Sequence, residues 1–339
     1  MGHIGAQTWE FPRKPVIVAT ATVVGPKEGE GPLRESFDKV YTDLYMGEKS
    51  WERAERALLH DAVTICLEHA KINSSDVQMM LAGDLTNQII SSTFTARTFG
   101  TPFMGQFGAC SVSMQTLGLA ALLVDSEFAK NVVAAAVSHS STAERQFRYP
   151  TEYGGQKPPT AQCTVTGAGA ALIAHQGTGP RIALATMGKV IDLGVSSPWE
   201  MGAAMAPAAV DTLTCHFRDT GYSWNDYDLV ATGDLGSVGH RIAIDLLKEH
   251  SIAPDERFVD CGMMIYRKDQ AEVFSGGSGA GCSAVVSYGY LLRQLSEGRM
   301  KRMLIVATGA LLSTVTSLQG ESIPCIAHAV TIEREGEYQ

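Results

Sequence analysis

Cys110, in the stretch GACSVSM at 108–114, is the residue of this sequence whose type and setting most clearly indicate a chemical role. The preceding glycine permits a tight turn, and the small and apolar residues that follow predict a buried helix that starts at the cysteine. A thiol at a helix start faces unpaired N–H groups and the positive end of the helix dipole, which favour the thiolate. We interpret Cys110 as the position of an acyl-transfer nucleophile at the foot of a pocket. The alternative, a small buried hydrophobic residue, stays open.

A second set of candidate residues lies in the stretch 138–162, which we interpret as a long loop. Loops of this length inside a compact domain are usually functional or disordered. This one interleaves cationic with aromatic side chains, namely Arg145, Arg148 and Lys157 with Phe147, Tyr149 and Tyr153. Such a composition is too aromatic for a disordered tether and predicts a lid over the pocket. A solvated flap without a ligand is the alternative.

Composition limits the class of protein. A chain of 339 residues with 45% hydrophobic and 19% charged residues predicts one large or two similar α/β domains. The net charge of −9 argues against a nucleic-acid partner, because phosphate binding needs a basic face. No apolar run approaches the roughly 20 residues that span a bilayer, and the first residues lack the apolar segment of a signal peptide. We therefore expect a cytoplasmic-type soluble chain.

The seven cysteines are scattered along the chain and form neither CxxC pairs nor the spacing of a disulfide-rich module. They are therefore interpreted as reduced thiols of a cytosolic protein, and no metal site is expected from them.

Several predicted elements would position Cys110. Alternating β-branched residues predict a first strand at 16–24, and an apolar stripe predicts a helix from Trp51 to Ala70. Buried strands are expected at 77–84 and 131–137, with a short strand at 102–107 that leads into the Cys110 turn.

The pattern begins again at residue 181, which indicates an internal duplication. Three landmarks recur in order: AGDL at Asp84 and ATGDL at Asp234; GACS at Cys110 and AGCS at Cys282; and a basic residue at the same spacing after each cysteine, Lys130 and Arg302. Each half also finishes on an alternating strand. We predict an α/β protein with two similar βαβαβ halves, 1–178 and 179–339, whose mixed sheets enclose the helices that follow the two cysteines.

This organisation resembles the thiolase and β-ketoacyl synthase superfamily, whose halves repeat in this way and whose nucleophilic cysteine opens the helix after the third strand. The resemblance implies a layered α-β-α-β-α sandwich. A closer resemblance is to the stage V sporulation protein AD family of spore-forming bacteria. It is carried by QTW, GPKEGEGPL, AGDL, FGACS, TAERQFRYPTEYGGQKP, MGAAMAPAA, GGSGAGCSAV and ESIPCIAH.

The closer resemblance implies binding of dipicolinic acid, pyridine-2,6-dicarboxylate, without a cofactor. It further implies a soluble component of a membrane complex that moves the compound, as its calcium chelate, into and out of the spore. Partners would be other stage V sporulation A membrane proteins, which would hold the chain at the spore inner membrane, and a homodimer is possible.

The sequence favours a binding protein over an enzyme. Condensing enzymes and thiolases need His or Asn groups that activate the thiol and hold the thioester oxygen. The corresponding loops here, 233–239 and 275–282, contain neither residue type. His328 and His139 are the remaining candidates, and a satisfied core position is the alternative for each. An active acyltransferase that uses Cys110, like β-ketoacyl synthase III, and a purely structural adaptor stay open as further functions.

Dipicolinate is planar, aromatic and doubly anionic, so its site needs cationic groups and ring faces. The predicted lid offers both. Gly277 and Ser278, in the glycine-rich turn 276–279, could add backbone N–H donors. The expected ligand-binding residues are therefore Cys110, His139, Arg145, Arg148, Tyr149, Tyr153, Lys157, Gly277, Ser278 and His328.

Overall fold

The computed structural model describes residues 2–148 and 156–336. For Arg148 it describes the backbone but not the side chain. Its strands are β1 Gly2–Ile4, β2 Thr8–Glu10, β3 Val16–Val24, β4 Lys39–Val40, β5 Met79–Gly83, β6 Phe103–Gly105, β7 Asn131–Ser138, β8 Cys163–Thr164, β9 Gly167–Ala174, β10 Arg181–Met187, β11 Leu229–Thr232, β12 Phe258–Asp260, β13 Gly277–Ser278, β14 Arg302–Ala310 and β15 Cys325–Glu333. Its helices are α1 Pro26–Gly29, α2 Trp51–Ala70, α3 Ile90–Phe99, α4 Val112–Asp125, α5 Ser140–Arg148, α6 Met201–Thr220, α7 Gly236–Glu249, α8 Cys261–Met264, α9 Ala280–Val285, α10 Leu292–Ser296 and α11 Thr314–Leu318.

The two halves repeat one sheet topology. The first half orders its strands β6-β5-β7-β9-β3 and the second β12-β11-β14-β15-β10, which is the same order when the strands are numbered within each half. Each sheet is mixed, since β5 and β11 pair in parallel with both neighbours whereas β9 and β15 pair antiparallel. One antiparallel pair, Val16 with Arg181, joins the sheets. The predicted duplicated α/β fold is confirmed, and the division at residue 178 stays a prediction.

The helix that follows Cys110 lies between the two sheets. α4 contacts β7 and β9 of the first half and β14 and β15 of the second. Small residues make this close packing possible: a side chain at Gly118 would lie 2.6 Å from the Cε of Met187. With α2 packed on the first sheet and α6 on the second from outside, the layers follow the predicted α-β-α-β-α order. The apolar character of α4 on nearly every side correctly predicted its interior position.

A second interior helix follows Cys282 and meets the first. α9 continues through one π turn, Val286–Leu291, into α10. The hydroxyls of Ser113 on α4 and Ser283 on α9 lie 2.6 Å apart, and the Tyr288 hydroxyl donates to the carbonyl of Ser113 at 3.1 Å. The amino-terminal ends of the two interior helices therefore converge, as the duplication predicts.

Local sequence accounts for the outer helix α2. The Ser50 hydroxyl accepts a hydrogen bond from the Arg53 N–H and caps the first turn, and Lys71 ends the helix in a left-handed conformation with φ of 57°. Its apolar stripe, which includes Leu58 and Leu59, is fully buried. The predicted bounds of this helix, Trp51 and Ala70, are confirmed.

The structure corrects the prediction of a continuous loop over 138–162, because Ser140–Arg148 forms helix α5. Ala143, Glu144, Arg145 and Gln146 are good helix formers, and the Ala143 N–H bonds to the His139 carbonyl at the helix start. The sequence pattern hid the helix because its buried face consists of small residues, Thr142 and Ala143. Within the described ranges, no helix is long and apolar enough to cross a membrane.

Candidate functional site

A cavity of about 250 Å³ opens at the amino-terminal end of α4, between the two halves. Its lining is mainly apolar, with Leu85, Ile89, Phe107, Phe147, Met201 and Leu312 among the contributing side chains. Polar groups enter from Cys110 and Thr164 of the first half and from Ser278 and Gly279 of the second. The cavity can therefore hold a flat, largely apolar group against a few hydrogen-bonding groups.

The predicted tight turn places Cys110 in this cavity. Ala109 has a φ of 51°, and Ala109–Ser111 form a 3₁₀ turn that runs into α4. The turn packs directly on β14, since a side chain at Gly309 would come within 2.2 Å of the Gly108 carbonyl oxygen. Cys110 is buried, and its sulfur lies 3.9 Å from the Ser278 hydroxyl. The structure thus brings together two residues that were predicted for the site.

Asp234 is the residue behind this pair that the sequence analysis did not assign to the site. Its carboxylate accepts hydrogen bonds from the Ser278 hydroxyl at 2.7 Å, the Gly279 N–H at 3.1 Å and the Thr308 hydroxyl at 2.6 Å. Burial raises the pKa of Asp234 to about 6, although these hydrogen bonds oppose the rise. The sequence feature that could have identified Asp234 as a site residue is its position after the buried strand β11. In an enzyme of this fold, that loop would carry an imidazole or amide group.

Asp84, the counterpart of Asp234 in the first half, serves the local structure. It accepts from the Ser92 N–H at 2.8 Å and the Ser92 hydroxyl at 2.7 Å near the start of α3, and from the Thr86 N–H at 3.0 Å. Its oxygens are thus engaged although Asp84 lines the cavity. The repeated Gly-Asp-Leu landmark marks a buried carboxylate that ties loops together in both halves.

The prediction that the Cys110 thiolate is favoured is wrong. Burial raises the pKa of the Cys110 thiol well above its ordinary value, and the negative charge of Asp234 raises it further. The helix dipole does not compensate, because α4 begins two residues later and a carboxylate lies beside the sulfur. Cys110 is therefore a neutral thiol at physiological pH.

We expect native Cys110 to resist alkylation. Iodoacetamide at pH 8 reacts with thiolates, and Cys110 is both buried and protonated there. Peptide mass spectrometry after a short treatment should find Cys110 unmodified, whereas all seven cysteines should be labelled after unfolding in urea. Selective labelling of Cys110 in the folded protein would contradict this assignment.

The structure does not bring histidines to Cys110. His139 is buried and bonds through Nε2 to the Leu44 carbonyl at 2.9 Å, and burial lowers its pKa. His328 accepts from the Gly188 N–H at 3.2 Å, and burial lowers its pKa to about 4. His240 stacks on Phe258 with ring centroids 4.5 Å apart. None of the three lines the cavity.

The predicted lid residues occupy different places. α5 covers the cavity with Ala143, Glu144 and Phe147. Arg145 points elsewhere: its guanidinium lies 2.8 Å from a Glu52 carboxylate oxygen and 4.7 Å from the centre of the Trp51 ring. Lys157 lies 2.6 Å from the carboxylate of Glu144.

Other predicted site residues are not part of the described lining. Gly277 lies in β13, beside Ser278, and its carbonyl accepts from the Gln162 side chain at 3.3 Å. The Arg148 side chain, Tyr149 and Tyr153 lie outside the described residues. In the part of the chain that the structure describes, no lysine or arginine lines the cavity and no cluster of His, Cys, Asp and Glu could hold a metal ion.

Known proteins share this fold, and one relative matches nearly the whole chain. The family model for stage V sporulation protein AD matches residues 5–333. Stage V sporulation protein AD of Bacillus subtilis (strain 168) is 50% identical over 332 residues, which cover 98% of both chains.

Two solved structures extend the likeness at the level of the fold. One is 3-oxoacyl-[acyl-carrier-protein] synthase III from Aquifex aeolicus VF5, 14% identical with a TM-score of 0.59, covering 94% of this chain and 99% of that one. The other is human mitochondrial 3-ketoacyl-CoA thiolase, 14% identical with a TM-score of 0.60, covering 96% and 100%.

Proposed function

The chain belongs to the stage V sporulation protein AD family, and on that premise we propose that it binds dipicolinic acid without chemical turnover. In this proposal it is the soluble component of a spore membrane complex that takes up the compound during sporulation and releases it during germination. The observation that carries the proposal is the cavity at Cys110 and Ser278, with the carboxylate of Asp234 beside the thiol.

The cavity has features that suit a planar aromatic acid. Phe107 and Phe147 offer aromatic surface for the pyridine, and Thr164 adds a hydroxyl group to the lining. The ammonium of Lys157 lies 2.6 Å from the carboxylate of Glu144, a residue that lines the cavity, and could provide a cation for the ligand. Arg148, Tyr149 and Tyr153 stay predictions as ligand contacts, whereas Arg145 pairs with Glu52 outside the described lining.

Several features support binding rather than acyl transfer. A nucleophilic thiol needs a base that removes its proton and donors that stabilise the oxyanion. Here the ionisable side chain beside the sulfur is the Asp234 carboxylate, whose negative charge opposes formation of the thiolate, and the described histidines bond elsewhere. If Cys110 were nevertheless a working acyltransferase nucleophile, incubation with acetyl-CoA or malonyl-CoA would add an acyl mass to the intact protein.

Calorimetric titration with dipicolinate, with and without calcium, tests the proposal. Binding in either condition supports it, and the comparison shows whether the ligand is taken up as its chelate. The Cys110→Ala variant should bind about fivefold more weakly, because it loses a shape contact worth about 1 kcal/mol. Cys66→Ala is the matched control, since Cys66 is buried in α2 outside the cavity. Unchanged affinity of the Cys110 variant would remove this residue from the site.

The proposed partners are other stage V sporulation A membrane proteins, which would hold the chain at the inner membrane of the spore. A homodimer is also proposed. Strand β6 pairs with β5 and leaves its second edge without a partner among the described strands, and Met104 and Phe107 are exposed there. These features support association through the edge of the first sheet.

A further inference from the structure

The charge on the cavity lining conflicts with an anionic ligand. Of the two carboxylates that line the cavity, Asp84 is engaged by Thr86 and Ser92, whereas Glu144 on α5 forms an ion pair with Lys157. A dicarboxylate that enters must approach Glu144, and like charges that approach without a cation between them repel.

The Glu144–Lys157 ion pair places a cation beside the carboxylate that would repel an anionic ligand. The Lys157 Nζ lies 2.6 Å from Glu144 Oε1, and the two side chains are only 21% and 25% exposed. Solvent screens such a pair less than a fully exposed pair. Exchanging the carboxylate that is bound to Lys157 therefore changes the free energy of ligand binding. Glu144 lines the cavity, and Lys157 contacts Glu144 without being part of the described lining.

We propose that Glu144 is an internal competitor, a carboxylate of the chain that occupies Lys157 in the empty site and yields it to a carboxylate of the ligand. This inference rests on the proposed dipicolinate-binding function and assigns Glu144 a role in it. The exchange replaces one carboxylate on the ammonium with another, so the cation stays paired throughout and its charge is never left buried alone. A ligand without a suitably placed carboxylate gains nothing from the exchange, which makes the pair a determinant of specificity.

Charge removal at Glu144 tests the proposal. Glu144→Gln keeps the size of the side chain and should bind dipicolinate about fivefold more tightly, because the competitor is weakened. Lys157→Met should bind about tenfold more weakly. In the Lys157→Met background, Glu144→Gln should give a smaller gain, because only the direct repulsion between Glu144 and the ligand is then relieved.

The control is Glu127→Gln, which removes the same charge from the Arg13–Glu127 ion pair beyond the opposite end of α4 and should leave affinity unchanged. Calorimetry provides the affinities, and circular dichroism confirms that each variant is folded. Wild-type or weaker binding by Glu144→Gln overturns the inference, and so does an equal gain in the Lys157→Met background. If the wild-type protein itself does not bind dipicolinate, the proposed function fails and this inference fails with it; binding by the wild type with an unchanged Glu144→Gln affinity removes the inference alone.

Discussion

Replacing Ala143 with tryptophan should reduce dipicolinate affinity at least about a hundredfold, because the indole would occupy the volume that the proposed ligand needs. Ala143 lies on α5, lines the cavity and is 7% exposed. The indole would project into this cavity, whose volume is about 250 Å³, and take the space of a ligand ring. Titration calorimetry of the folded variant measures the loss.

Arg145→Trp is the matched control for this variant. It introduces the same residue on the same helix, at a position that faces Glu52 and Trp51 instead of the cavity. It should retain binding within about threefold. Wild-type affinity in Ala143→Trp would place the ligand elsewhere, and loss of binding in Arg145→Trp would show that Arg145 reaches the ligand as the sequence predicts.

Replacing Asp234 with alanine should lower the free energy of unfolding by about 3 kcal/mol at pH 7. The change leaves the Ser278 and Thr308 hydroxyls and the Gly279 N–H without their acceptor in a buried position. Relief of a buried negative charge offsets part of this loss. Urea unfolding monitored by fluorescence measures the difference, with Asp245→Ala on the exposed face of α7 as a control that should change stability little.

The pH dependence of this difference has a defined sign. The pKa of Asp234 is about 6 in the folded protein, above the value of about 3.9 in an unfolded chain. The folded state therefore holds the proton more tightly, so the stabilisation from protonation is complete below about pH 4 and is lost as the pH rises through 6. Relative to Asp234→Ala, the wild type should gain up to about 3 kcal/mol between pH 7 and pH 4. A difference that stays constant over this range would contradict the raised pKa.

The sequence predicted the elements whose patterns are local or repeated. The apolar stripe of α2 and the apolar surface of α4 specify their own burial, and the duplicated landmarks predict that Cys110 and the turn at Ser278 meet. The ionisation of Cys110 was not predictable from its helix-start context. It depends first on the burial of the sulfur and then on Asp234, which is far away in the sequence and whose position relative to the sulfur is set by the packing of the two halves.

The predicted cationic lid shows a second limit of prediction from sequence. The composition of 138–162 predicted a lid, and within this stretch α5 lines the cavity, but composition does not say which face of a helix each residue occupies. In α5, Ala143 and Phe147 face the cavity and Arg145 faces Glu52. The partner of Lys157 is likewise set by the fold, since Glu144 lies 13 residues earlier in the chain.

The position of α4 between the two sheets has a consequence for how the molecule loses its structure. α4 covers the inner face of both sheets, so neither half has a complete hydrophobic core by itself. The duplicated halves are therefore expected to melt in a single cooperative transition, and a fragment cut between them would expose apolar surface and aggregate.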